Sequence, residues 1–367
     1  MAAKIRVGIV GATVTPGGSG WGANAHVPAL KALPDYELKA VCTAHEDTAQ
    51  ASKEAFGAEL AFHNIDDMAA HPDVDLIVVC VRVPWHRDLV MAGLKAGKAV
   101  LCEWPLGANL AEAEEMANYA REHGIRTIVG LQGRADPAVR YAHDLLQQGH
   151  IGDVLTANLS IQSQAQLERN PGRIWHNVRE TGANTLTIPG GHGIDAMCAV
   201  LGEFVEITAR EATRIKQWKN TETGEMVDVS TPDSISFAGV LDSGVEVSVQ
   251  VTAVPVGGTG SRLEIYGRDG MMILTSAGAL SSGPNRLYVQ RGKDAGAEVT
   301  IPAEYEVAPE GTPAGAPRNV AGNYARYADA IGSGAPVEAD FDLALKRHQL
   351  IDAIFRSSDT GQSVKLP

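Results

Sequence analysis

The stretch Lys4-Ile5-Arg6-Val7-Gly8-Ile9-Val10-Gly11-Ala12, continued by Thr13-Val14-Thr15-Pro16-Gly17-Gly18-Ser19-Gly20-Trp21-Gly22, decides the fold. Residues 4–10 are a compact apolar run and read as a strand. Glycines then crowd residues 11–22, and residues 25–33 read as a helix. A strand that ends in glycine and turns at once into a helix lets the backbone approach a pyrophosphate. The unpaired N–H groups and positive dipole end of the helix face the same anion. The segment between Gly11 and Trp21 is longer than the tight form of this fingerprint, so position decides: first strand, first turn, then helix, within a βαβ unit. The turn offers Gly8, Gly11, Thr13 and Trp21 as residues that hold a dinucleotide.

Outward from this turn, apolar runs at 37–42, 75–81, 99–102 and 126–131 alternate with helical patterns at 48–56, 66–70, 87–96 and 110–123. Alternation at short spacing argues for a parallel sheet with helices on both faces. The rhythm changes near residues 149–153. Strands at 154–162, 205–210, 234–241, 245–251, 263–266 and 271–274 then follow one another. Asp242-Ser243-Gly244 and Arg268-Asp269-Gly270 supply short turns, which argues for a largely antiparallel sheet. A helix closes 184–201, the Pro/Gly-rich 308–318 reads as a mobile loop, and two helices at 319–331 and 343–357 end the chain. The expected class is α/β: an N-terminal Rossmann domain over 1–131, then an α+β domain over 132–367 with a large open, mostly antiparallel sheet. The C-terminal helix is free to pack back on the first domain.

Composition narrows the function. The 367 residues, 44% hydrophobic, suffice for two cores. A formal net charge of −13 repels phosphate backbones and anionic lipid, so neither nucleic acid nor a membrane surface is an expected partner. Cys42, Cys80, Cys102 and Cys198 form no Cys-x-x-Cys pair and read as buried reduced thiols, with no metal expected. The start of the chain enters a strand without a secretion signal, and no apolar run approaches the ~20 residues that span a bilayer. A cytoplasmic location follows as the expectation.

The second strand ends Val41-Cys42-Thr43-Ala44-His45, with no acid before Glu46 to hold the adenine ribose. Thr43 can hydrogen-bond a ribose hydroxyl and His45 can accommodate a 2′-phosphate, so NAD is the default and NADP stays open. A second polar cluster, Arg173-Ile174-Trp175-His176-Asn177-Val178-Arg179, lies in a loop-like segment. Arginine binds anions in fork geometry, tryptophan stacks on a sugar face, and histidine reads hydroxyls. Arg173, Trp175, His176 and Arg179 are therefore substrate-binding candidates, against the reading of a solvated connector with one anchoring Trp.

Over nearly its whole length the chain resembles the glucose–fructose oxidoreductase, inositol dehydrogenase and MocA family. Val81-Arg82-Val83-Pro84-Trp85-His86 resembles the family loop after the fourth strand, which implies that Arg82 and His86 lie along the nicotinamide ribose. Gly97-Lys98-Ala99-Val100-Leu101-Cys102-Glu103-Trp104-Pro105-Leu106 resembles the fifth-strand motif, adding Glu103 and Trp104 to the cofactor site. Gln132-Gly133-Arg134-Ala135-Asp136-Pro137 resembles the domain junction and adds Gln132; the end, Thr360-Gly361-Gln362-Ser363-Val364-Lys365-Leu366-Pro367, resembles the family tail. The resemblance implies oligomer contacts through the second domain's open sheet.

Two departures stand out. Trp104 occupies the place of the family's proton-transferring lysine, and Ile188 the place of an aspartate before the catalytic histidine. The histidine itself is kept, as His192 in Gly190-Gly191-His192-Gly193-Ile194-Asp195. This combination is similar to a divergent branch that includes the yeast galactose-pathway repressor. His192 is the expected base, with a pKa suited to neutral pH, and Asp195 the group that orients or charge-balances its ring. Three functions fit. The first is an NAD(P)-dependent oxidoreductase on a sugar, polyol or sugar derivative. The second is an NAD-dependent glycosidase that oxidises, eliminates, hydrates and re-reduces, on glycosides carrying a carboxylate or sulfonate. The third is a non-catalytic dinucleotide-sensing regulator.

Overall fold

A computed structural model describes residues 4–14 and 20–367. Pro16, Gly17 and Gly18 of the first turn lie outside the described residues. The chain divides into two units, residues 1–131 with 307–346, and residues 132–306 with 347–367.

The first unit runs β1 (Ile5–Val10), α1 (Val27–Ala32), β2 (Tyr36–Cys42), α2 (Glu46–Phe56), β3 (Leu60–Phe62), α3 (Ile65–Ala70), β4 (Leu76–Val79), α4 (His86–Lys95), β5 (Ala99–Glu103), α5 (Leu110–Glu122) and β6 (Thr127–Gly130). Its sheet has the order β3-β2-β1-β4-β5-β6. All of its strand pairs are parallel. Every residue of β4 is buried, as expected of a strand covered on both faces. The strand order reverses between β1 and β4, which opens a crevice outside their carboxyl ends. Helices start where short polar side chains offer an acceptor: Asn64 accepts from Asp66 N ahead of α3, and Asn109 from Glu112 N ahead of α5. The helix expected at 25–33 is preceded by a wide π-turn, Gly22–His26. Pro28 has no N–H to give an i−4 carbonyl there. The three-residue β3 is too short to show alternation in the sequence.

The second unit contains α6 (Pro137–Gln147), β7 (Val154–Gln164), β8 (Glu168–Arg169), α7 (Pro171–Ile174), α8 (Gly191–Leu201), β9 (Phe204–Ala212), β10 (Gln217–Asn220), β11 (Met226–Asp228), β12 (Ser234–Leu241), β13 (Glu246–Val254), β14 (Gly260–Gly267), β15 (Gly270–Ser276), β16 (Arg286–Arg291) and β17 (Ala297–Glu298). The chain then passes through α9 (Ala316–Ser333) and α10 (Phe341–Thr360) to β18 (Val364–Lys365). A nine-stranded sheet has the order β17-β16-β15-β14-β7-β13-β12-β9-β18. Its pairs are antiparallel except β7 with β13, which run parallel. Alternation along β12 and β13 turns Ile235, Phe237, Val247, Val249 and Val251 inward, while Ser236, Ala238, Ser248 and Gln250 face solvent. A small sheet, β11-β10-β8, stands apart from it.

Residues 307–346 return to the first unit, so the second differs from the unbroken 132–367 read from the sequence. Helix α9 brings Val320, Ala321, Tyr324 and Tyr327 into the first unit's core. The Pro/Gly-rich 308–318, expected as a mobile loop, is anchored at both ends. Ala308 is buried in the same core, and α9 already begins at Ala316. Proline and glycine there mark turns, which burial then fixes.

Candidate functional site

In the first unit Gly11 sits where β1 leaves the sheet. Its amide donates to the Cys42 carbonyl at 3.1 Å, and the Cys80 amide donates to the Val10 carbonyl at 3.0 Å. Gly11 has φ +92°, and a Cβ there would run into the Cys80 carbonyl. Glycine at position 11 thus lets the chain leave β1 tight against the end of β4 at the switch point. Thr13 follows, partly buried, and Trp21 packs its ring against the unit's core. Gly8 serves packing instead of the turn. It lies within β1 against Met68, whose Sδ would be 2.8 Å from any Cβ at that position.

At the end of β2 the Thr43 hydroxyl donates to the His45 carbonyl at 2.9 Å and lies 2.7 Å from the Thr48 hydroxyl. His45 is exposed at the start of α2, whose first turn carries Glu46 and Asp47. Arg82 is exposed, and Trp85 is 61% exposed. His86 is buried, with Nδ1 2.8 Å from the Pro105 carbonyl and Nε2 3.2 Å from the Val81 carbonyl. Burial pushes its pKa down, and a neutral ring donates to one of these two carbonyls and not to both. That buried position differs from the ribose contact the resemblance implies.

Glu103, at the end of β5, belongs to a chain invisible in the sequence. His26 Nε2 is 2.9 Å from Glu103 Oε1, and His26 Nδ1 is 2.7 Å from the Tyr324 hydroxyl. A carboxylate only accepts, so Nε2 donates to it. Nδ1 faces the Tyr324 phenol, which is a donor in its protonated form. Burial raises the Tyr324 pKa well above its ordinary value, keeping that donor protonated. Gly130 leaves the room: a Cβ there would strike the Glu103 carboxylate. Trp104 follows, 5% exposed.

In the second unit Gln132 opens a short 3₁₀ turn, 1% exposed, and its Oε1 has no hydrogen-bond partner among the described residues. His192 lies in the first turn of α8. Pro189 has no N–H, so the Gly190 amide reaches the Thr185 carbonyl at 3.0 Å, and α8 begins directly after this π-turn. Asp195, on the same helix, is fully engaged by arginines. Arg134 Nε lies 3.0 and 2.9 Å from its two oxygens, and Arg347 Nε lies 2.8 Å from Oδ1. Arg347 Nη2 also donates to Glu203 at 2.7 Å. Burial opposes ionisation of Glu203, but the hydrogen bonds and charge of Arg347, aided by Arg134, hold its pKa below the usual glutamate value. Asp195 thus anchors α8, whereas the sequence pattern had pointed to it as the group that orients His192.

Several groups of the polar cluster at 173–179 are committed within the fold. Trp175 Nε1 donates to the Gly172 carbonyl at 3.0 Å, and its ring meets His176 edge-on at 4.1 Å. Arg179 is committed to structure, over the Phe355 ring at 3.6 Å and 3.3 Å from Glu211. Arg173 has no carboxylate partner among the described residues. Three participants carry no signal in the sequence: His26 and Tyr324, and Arg347, which lies 152 residues from Asp195. No local pattern marks such pairs.

Among the described residues no group of three or more His, Cys, Asp or Glu is placed to hold a metal ion. No helix there is long and apolar enough to cross a membrane.

A parallel sheet with Gly11 at its switch point, and a second unit built on a large mixed sheet, define a Rossmann-type two-unit architecture. Residues 5–131 match the oxidoreductase family with an NAD-binding Rossmann fold, and residues 137–276 match the Gal80p C-terminal domain. The dehydrogenase aclE of Aspergillus oryzae is 31% identical over 99% of this chain and 98% of its own. The chain belongs to the glucose–fructose oxidoreductase, inositol dehydrogenase and MocA family, in its divergent Gal80p-like branch, and its cofactor is NAD. Two solved structures share the fold. One is a super-repressor mutant of Gal80p from Saccharomyces cerevisiae, at TM-score 0.86 and 23% identity, covering 99% of this chain and 98% of that one. The other is levoglucosan dehydrogenase with NADH and L-sorbose, at TM-score 0.88 and 21% identity, covering 99% of each.

Proposed function

We propose that this protein is an NAD-dependent oxidoreductase of a sugar, polyol or sugar derivative, in which His192 takes the proton of the substrate hydroxyl. The observation that supports it most is the buried network of Asp195, Glu203, Arg134 and Arg347, which fixes the helix carrying His192. A base on a rigid element loses little to misplacement. When bound, the nicotinamide supplies the hydride acceptor. The glycine-rich turn after β1 is the pyrophosphate contact, and Thr43 is the ribose contact at the end of β2. Glu46 and Asp47 beside His45 disfavour a 2′-phosphate, so NAD is preferred to NADP. Trp104, buried directly after Glu103, is assigned to the wall of the sugar pocket.

The test is a screen of sugars, polyols and aryl glycosides with NAD, following NADH absorbance and aglycone release together. Turnover of a sugar with net NADH formation is expected, and His192→Ala should lower kcat by about 10²- to 10⁴-fold without changing the melting temperature. An unchanged kcat removes His192 from the reaction. Redox-neutral cleavage of glycosides is the second reading, favoured by Trp104 where the family's lysine would stand. Aglycone release without net NADH would establish it. NAD binding with neither signal would turn the assignment to a dinucleotide-sensing regulator. We place the protein in the cytoplasm because its four cysteines are buried and unpaired. We assign the polar open face of the nine-stranded sheet, bearing Ser236, Ser248 and Gln250, to homo-oligomer contact, which light scattering on the purified protein tests.

A further inference from the structure

The buried and half-buried arginines of the second unit generally meet a carboxylate. Arg134 and Arg347 share Asp195 and Glu203, and Arg179 meets Glu211. Arg169, half-buried as well, and its neighbour Arg173 depart from this, in a chain whose net charge is −13.

Arg169 is fixed in place without a counter-charge. Its backbone is held where β8 pairs with β10, and its carbonyl accepts from the Thr221 amide at 3.0 Å. Its guanidinium lies 3.6 Å over the ring of Trp218, itself 5% exposed, and Nε donates to the Gln166 carbonyl at 3.3 Å. The two Nη groups, the fork that reads an oxyanion, have no partner among the described residues. Arg173 follows on α7, which packs on β8 and β10. Burial first, and then the like charge of Arg173, bring the Arg169 pKa down to about 10, and no carboxylate offsets them. The two like charges oppose each other, and the stacking of Arg169 on Trp218 does not supply a counter-charge. An anion between them removes the repulsion and fills the free donors.

We infer that Arg169 and Arg173 form an oxyanion-binding site, walled by Trp218, for the carboxylate or sulfonate of an acidic sugar. That the anion is carried by a sugar rests on the oxidoreductase reading; the anion site itself does not.

The experiment is calorimetry on the NAD-saturated protein with three probes: glucuronate, glucose and inorganic sulfate. Glucuronate should bind more tightly than glucose. Arg173→Gln and Arg169→Gln should each weaken glucuronate by about ten- to a hundred-fold and leave glucose and NAD binding unchanged. Sulfate that competes with glucuronate and is lost in the same variants supports the site and identifies the anion as the part recognised. Heats with glucuronate and sulfate that are absent in the wild type, or unmoved by both substitutions, overturn it. Should Arg169→Gln fail to fold, Arg173→Gln, on a partly exposed helix, carries the test alone. Absence of any heat with NAD refutes the oxidoreductase reading instead, and the sulfate result still decides the anion site.

Discussion

Two pairs of arginines in the second unit show opposite solutions to the same problem. Arg134 and Arg347 are buried with 11% and 2% of their side chains exposed, and are matched by Asp195 and Glu203. Arg169 and Arg173 are less deeply placed and matched by no carboxylate among the described residues. A compensated pair ties elements together, here 61 and 152 residues apart. An uncompensated pair leaves its charge unmet within the fold, even where one member stacks on an aromatic ring as Arg169 does on Trp218. The first pair fixes the helix that carries His192, and the second awaits an oxyanion.

The comparison breaks most visibly at Asp195. Asp195→Asn leaves two buried guanidiniums short of a counter-charge and should cost about 3–5 kcal/mol of stability, read from urea unfolding; a cost below 1 kcal/mol would show that the network does not anchor α8. A smaller effect is expected in the first unit, where Glu103, His26 and Tyr324 form a hydrogen-bonded chain rather than an arginine–carboxylate lattice. Tyr324→Phe removes the donor to His26 Nδ1 and should cost about 1–3 kcal/mol, measured in the same way.

The pH dependence follows from Glu203, whose folded pKa lies below its unfolded value. Its stabilisation is complete above about pH 4.3 and is lost as the pH falls through the lower folded value. The melting temperature of the wild type should therefore drop more steeply over that acid range than that of Glu203→Gln; parallel curves would remove Glu203 from the network. The smallest effect belongs to the unmatched pair: Arg173→Gln should change stability by no more than about 0.5 kcal/mol, and a loss beyond 1 kcal/mol would mean that Arg173 already has a structural partner.

Much of the first unit was legible because its signals are local. The run into Gly11 and the continuous apolar β4 each report their own environment. The second sheet was legible strand by strand, from the alternation of β12 and β13, but the parallel pairing of β7 with β13 was not. Register between distant strands leaves no mark in either strand alone. The need for glycine at position 11 was legible in the pattern, and its left-handed backbone at the end of β1 meets that need. His86 resembles a ribose contact in sequence, yet the fold buries its ring between the Pro105 and Val81 carbonyls. Gly8 looks like part of the turn in sequence, yet it serves packing on Met68.

By itself, then, the sequence determined a Rossmann unit, a second sheet unit, a glycine turn for a dinucleotide and a histidine at the start of a helix, because periodicity and turn chemistry act over a few residues. Only the tertiary structure decided that residues 307–346 complete the first unit, that Asp195 is spent on two arginines, and that Arg169 stacks on Trp218 with no acid to match it. Charge compensation is a property of neighbours in space, and folding alone chooses those neighbours.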